Sequence, residues 1–110
     1  MSAVLSKVRQ LEKYIALTGD PMQKQVWELA LDKLLTREIA NIANQKAHLE
    51  AQLAEFERQY DQSSEHFYER FERGELGDDA DFVEWSATFE MVQNLQRRLD
   101  VLAASETPST

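Results

Sequence analysis

The chain has 110 residues, with 12 Lys and Arg against 20 Asp and Glu, no cysteine, and a formal charge of −8. That length supports one domain with one modest core. The missing cysteines exclude a disulfide, a thiolate nucleophile and a Cys-based zinc site. The apolar runs are a few residues long, far short of the ~20 needed to cross a bilayer, and the first ten residues lack the apolar stretch of a signal peptide, so a soluble cytoplasmic protein with no membrane association is expected.

The first helix is expected over residues 2–17, where Leu5, Val8, Leu11 and Ile15 recur at helical spacing with Tyr14 beside them. Thr18-Gly19 ends it, with Gly19 suited to a left-handed position. Asp20 can then cap a second helix by accepting a backbone N–H, and Pro21 costs nothing at the first helical position because its missing donor would be unpaired there anyway.

Residues 21–60 contain no Gly and no second Pro, and good helix formers dominate. Forty such residues would make a rod of about 60 Å. Leu35, Ile42, Leu49 and Phe56 repeat every seven residues, and Ile39, Leu53 and Tyr60 fall four after three of them. That is a coiled-coil-like seam with Lys46 as its one polar intruder. Ala40, Ala43, Ala47, Ala51 and Ala54 flank it. Trp27, Leu31 and Leu34 add an apolar face expected to lie under the first helix.

Asp61-Gln62-Ser63-Ser64 reads as a break, with Ser63 or Ser64 capping a short third helix over residues 65–73 that Gly74 ends. Leu76 should plug the core from the following turn. Asp78 or Asp79 caps a last helix reaching about Ala104, on which Phe82, Trp85, Phe89, Val92 and Leu99 keep a three-four spacing. The six residues 105–110 are expected to form a disordered tail on a single helical domain covering 1–104. The fold class is therefore all-α, a long helical hairpin or antiparallel bundle. The rod would be under-covered as a monomer, so a homodimer or tetramer is expected.

The charge is not spread evenly. Residues 1–60 carry eight basic and eight acidic side chains, whereas residues 61–110 carry four Arg and twelve acids. Such a half repels phosphate and attracts basic partners, so nucleic acid is not the expected ligand. Asp78, Asp79, Asp81 and Glu84 cluster where a helix dipole favours acids, and Gly77 precedes them rather than sitting mid-loop as an EF-hand requires. His48 and His66 lack the Glu-x-x-His pattern of a di-iron bundle. Glu69/Glu72 and Asp81/Glu84 are carboxylate pairs at i, i+3; helical nucleotide pyrophosphatases hold magnesium with such pairs, but their second pair ends in Asp where this one begins with it. Ser63-Ser64 near His66 has no oxyanion-hole context. No catalytic residue, cofactor or metal ligand is assigned.

The stretch Phe67-Tyr68-Glu69-Arg70-Phe71, Arg73-Gly74-Glu75-Leu76-Gly77-Asp78-Asp79, Asp81-Phe82, Glu84-Trp85 and Phe89-Glu90-Met91 resembles a group of small prokaryotic helical proteins associated with toxin–antitoxin pairs. The resemblance covers 25 of the 110 residues. It implies a non-enzymatic role, such as neutralising a toxin. The leading expectation is a non-catalytic interaction module that meets a basic, toxin-like protein through Glu69, Glu72, Glu75, Asp78, Asp79, Asp81 and Glu84. Leu35, Ile39, Ile42, Leu49, Leu53, Phe56, Phe82, Trp85 and Phe89 would supply the packing. The alternatives are a purely structural self-associating coiled coil and a magnesium-dependent nucleotide hydrolase.

Overall fold

A computed structural model describes residues 2–104; the expected tail lies outside them. The described chain is all-α, with four helices, α1 (Ala3–Leu17), α2 (Pro21–Tyr60), α3 (Ser64–Glu72) and α4 (Ala80–Ala103). Among the described residues no helix is long and apolar enough to cross a membrane. The chain forms two compact units, Met1–Arg37 and Glu38–Thr110, with α2 contributing to both.

In the first unit the helix boundaries follow local chemistry. Ser2 Oγ accepts the Val4 and Leu5 N–H groups and so starts α1. Thr18 ends α1 in extended conformation with its N–H on the Tyr14 and Ile15 carbonyls. Gly19 is not left-handed, contrary to expectation, because Thr18 already turns the chain out of the helix. Asp20 Oδ1 accepts the Met22 N–H at 3.0 Å and starts α2. Tyr14 meets Trp27 edge to face, with centroids 6.5 Å apart, so α1 folds back on the start of α2.

That contact does not make a core. No residue of α1 is buried, and the two buried residues of α2, Ile42 and Leu53, both belong to the second unit. Leu31 and Leu34, expected under α1, are exposed, at 41% and 60%. Leu35, placed in the seam by its heptad position, is exposed at 42%. The reason is geometric. Each amphipathic helix of the hairpin carries more apolar surface than one neighbour can cover.

The second unit has the core. Leu53 of α2, Phe67 of α3, and Trp85, Phe89 and Val92 of α4 form one buried cluster, walled by Leu49, Phe56, Tyr60, Tyr68, Phe71, Leu76 and Phe82. Trp85 is its centre. Its ring stacks on Phe67 at 3.8 Å and 4°, and on Phe56 from α2 at 5.4 Å and 13°. α4 runs antiparallel to α2: Tyr60 meets Phe82 at one end, while Ile42 shares a cleft with Val101 and Leu102 at the other. Of the seam residues here, Ile42 and Leu53 are buried, and Ile39, Leu49, Phe56 and Tyr60 are partly buried. Ala40, Ala43, Ala47, Ala51 and Ala54 stay exposed. Lys46 is handled by a 2.9 Å ion pair with Glu50, one turn on.

The two connections of the second unit share one device. Asp61 (φ 52°) and Gly74 (φ 74°) are left-handed residues after α2 and α3. At each, the next N–H reaches back five residues, Gln62 to the Glu57 carbonyl and Glu75 to the Arg70 carbonyl. This is the six-to-one bond of a Schellman ending. Aspartate tolerates the left-handed region better than most residues, and glycine has no Cβ to clash there.

Candidate functional site

The acidic segment becomes an elbow, α3 and the start of α4 joined by residues 73–79, built on the aromatic stack. Ser63 Oγ caps α3 by accepting the His66 N–H at 3.1 Å. Its neighbour Ser64 points inward and is 1% exposed; Ser64 Oγ accepts the Trp85 indole N–H at 2.9 Å. The Ser64 N–H in turn donates to the Glu57 carboxylate at 3.0 Å. Glu57 therefore ends α2 with its carbonyl and begins α3 with its side chain. Two phenols add further ties, Tyr60 to Asp81 and Tyr68 to Glu90, each at 2.6 Å. The buried hydroxyls of Ser86 and Thr88 donate to carbonyls of their own helix, those of Val83 and Glu84.

The seven acids expected to face a partner separate into three groups. Glu69, Glu72, Asp78, Asp79 and Glu84 are exposed, and among the described residues none of them has a Lys, Arg or His partner within salt-bridge distance. Glu75 is exposed but engaged, by Arg73 at 2.9 Å and Arg70 at 3.5 Å. Both arginines of the elbow are thus spent on one carboxylate. Asp81 is partly buried and held by Tyr60, which withdraws it from the outward-facing set. Asp79 occupies the cap position of α4 without a side-chain cap bond, so its carboxylate remains turned to water.

Metal chemistry finds no assembled site. Among the described residues no three His, Asp or Glu side chains converge into a group that could hold an ion. Glu69 and Glu72 lie on α3, while of the second pair Asp81 is tied to Tyr60 and only Glu84 is exposed.

Sequence reasoning missed Ser64, Glu57 and the two phenols. The Ser63-Ser64 doublet was the available signal: one hydroxyl caps, leaving the other free for the indole donor that a buried Trp brings. Nothing local marks Glu57, seven residues before its partner.

The phenol ties perturb titration. The Tyr68 hydroxyl is pushed up to about 12, first by its hydrogen bond to Glu90, then by burial and by the charges of Glu90 and Glu72. Tyr60 is raised as well, first by its bond to Asp81, then by burial and by the charges of Asp81 and Asp79. Because the folded value of Tyr68 lies above the ordinary phenol value of 10.0, its bond contributes fully below that pH and is lost as pH rises through about 12. In an alkaline absorbance titration at tyrosinate wavelengths, Glu90→Leu is expected to move one phenol back toward the ordinary value. An unchanged titration curve would show that Tyr68 and Glu90 do not interact in solution.

No protein-family model matches the chain, no curated protein matches it, and no solved structure matches it.

Proposed function

We propose that this protein is a non-catalytic interaction module that receives a basic protein on the outer face of the α3–α4 elbow. The observation that carries this reading is the charge disposition. Five exposed acids lack a cation within salt-bridge distance among the described residues, while the only two arginines of the segment are both engaged by Glu75. Carboxylates within a screening length of ~8–10 Å of one another sum into a field that steers a cationic partner. The stack of Phe56, Trp85 and Phe67 supports a rigid presentation of that face, which lowers the entropy lost on binding. The resemblance of residues 67–91 to antitoxin-like proteins makes neutralisation of a basic, RNA-directed toxin the particular form of this reading.

The test is capture of partners by the full-length chain expressed in its own host. A basic protein is expected to co-purify and to elute with moderate salt. The quadruple variant Glu69→Lys, Glu72→Lys, Asp78→Lys, Asp79→Lys is expected to weaken that complex by about 30-fold or more, since each exposed charge contributes a few tenths to one kcal/mol. These positions are solvent-facing, so helicity should be retained. Recovery of the chain alone at native abundance, or a complex indifferent to the charge reversal, would sink the reading. A neighbouring reading frame encoding a small nuclease-like or nucleotidyltransferase-like protein would support the antitoxin form.

A further inference from the structure

The first unit, Met1–Arg37, is a helical hairpin in which none of the described residues is buried. Its helices keep Val4, Val8, Leu17, Met22, Val26 and Leu29 more than half exposed. Helix propensity alone leaves segments of this length marginal in water, and stable helices take most of their support from a covered apolar face. The distribution of apolar residues on α2 shows what is lacking. At 100° per residue, Met22, Val26 and Leu29 lie on one side, and Trp27, Leu31 and Leu34 lie on another. With Ala30 between them and Leu35 at the edge, the apolar residues spread over roughly 240°, with Gln23, Lys24, Lys33 and Arg37 interspersed among them. One neighbouring helix covers about 100°, and α1 meets this arc through Trp27.

We infer that the hairpin is the self-association element of the protein, and that the Met22/Val26/Leu29 side of α2, together with Val4, Leu5 and Val8 of α1, packs against the same surface of a second copy as a four-helix bundle. Area and charge both favour a second copy. The exposed parts of Met22, Val26, Leu29, Val4, Leu5 and Val8 come to roughly 450 Å², at about 120 Å² for a fully covered Leu-sized side chain. That is the apolar share, a little over half, of the ~800 Å² per partner that a stable interface buries. Charge selects the unit. Residues 1–37 carry six basic and four acidic side chains, +2 in all, whereas residues 38–110 carry six and sixteen, −10 in all. Two copies meeting through the second unit would bring two strongly negative surfaces together; two hairpins meet almost without repulsion. An anionic membrane is a poorer occupant, because the charged groups on the polar side of α2 are Glu28 and Asp32, whereas a membrane-surface helix is rich in Lys and Arg there. This inference does not depend on the acidic-face reading.

Sedimentation equilibrium of the full-length chain tests it, with Val26→Asp/Leu29→Asp as the hairpin variant and Met91→Asp/Val101→Asp as an exposed pair on α4. The wild type should sediment at twice the chain mass at tens of micromolar. The hairpin variant should weaken the dimer by more than about 100-fold, and the α4 variant should leave it intact. In a Trp27→Phe background, where Trp85 is the remaining tryptophan, near-ultraviolet circular dichroism should be unchanged in all three and so separates lost association from lost folding of the second unit. A monomeric wild type would overturn the inference, as would a dimer that survives the hairpin changes but dissociates with the α4 pair. Monomers in solution that bind phosphatidylserine vesicles through the hairpin would overturn it in favour of a membrane.

Discussion

Replacing Trp85 with Ala is expected to remove about 3–5 kcal/mol from the stability of the second unit, read as a lower urea midpoint for loss of helical circular dichroism. The residue is fully buried, stacked on Phe67 at 3.8 Å and on Phe56 at 5.4 Å, so truncation opens a cavity where three helices meet. It also strips the buried Ser64 hydroxyl of its donor. The two contributions can be separated. Trp85→Phe keeps an aromatic ring but loses the N–H, at an expected cost of about 1–2 kcal/mol. Ser64→Ala leaves the indole N–H buried without an acceptor, at a similar cost. The double variant Trp85→Phe/Ser64→Ala should cost less than the sum of the two, because neither partner is then left unpaired. A Trp85→Ala protein within about 1 kcal/mol of wild type would mean that the stack is not the centre of this core.

The second large effect is expected at Ile42. It is 1% exposed, so Ile42→Asp places a carboxylate where water cannot reach it, at a cost of about 3–5 kcal/mol. Glu38 lines the same cleft and adds repulsion; Arg97 and Arg98 also line it and oppose that effect. Removing the two guanidinium groups, in Ile42→Asp/Arg97→Gln/Arg98→Gln, should therefore deepen the loss beyond Ile42→Asp itself. Ala43→Asp, one residue along and exposed, is the control and should stay within about 0.5–1 kcal/mol of wild type. If Ile42→Asp and Ala43→Asp melt together, the antiparallel packing of α4 on this part of α2 is wrong.

Both expectations rest on packing that periodicity only partly foretells. The three-four spacing of Phe82, Trp85, Phe89 and Val92 marks the stripe of α4 that turns inward, because a helix repeats its face every three or four residues whatever covers it. The same rule assigned Leu35, Leu31 and Leu34 to buried faces, and there it failed. An apolar stripe records that a face needs a cover; whether the chain supplies one depends on the reach of other elements. The candidate site divides the same way. That residues 65–90 are acidic follows from composition. That Asp81 is withdrawn by Tyr60, and Glu75 occupied by Arg70 and Arg73, does not.

By itself, then, the amino-acid sequence determined the all-α class and the places where helices begin and end. Asp20, Pro21 and Gly74 act on backbone groups within a few residues, so their effect can be read locally. Only the tertiary structure decided which serine of the doublet is buried, which acids face outward, and that the hairpin of α1 and early α2 lacks a core of its own. The physical reason is distance along the chain. The bonds Tyr60–Asp81, Ser64–Trp85 and Tyr68–Glu90 join residues 21 or 22 positions apart. Such pairs form only after the turn at residues 73–79 has set the register of α4, and no helical or strand period extends that far.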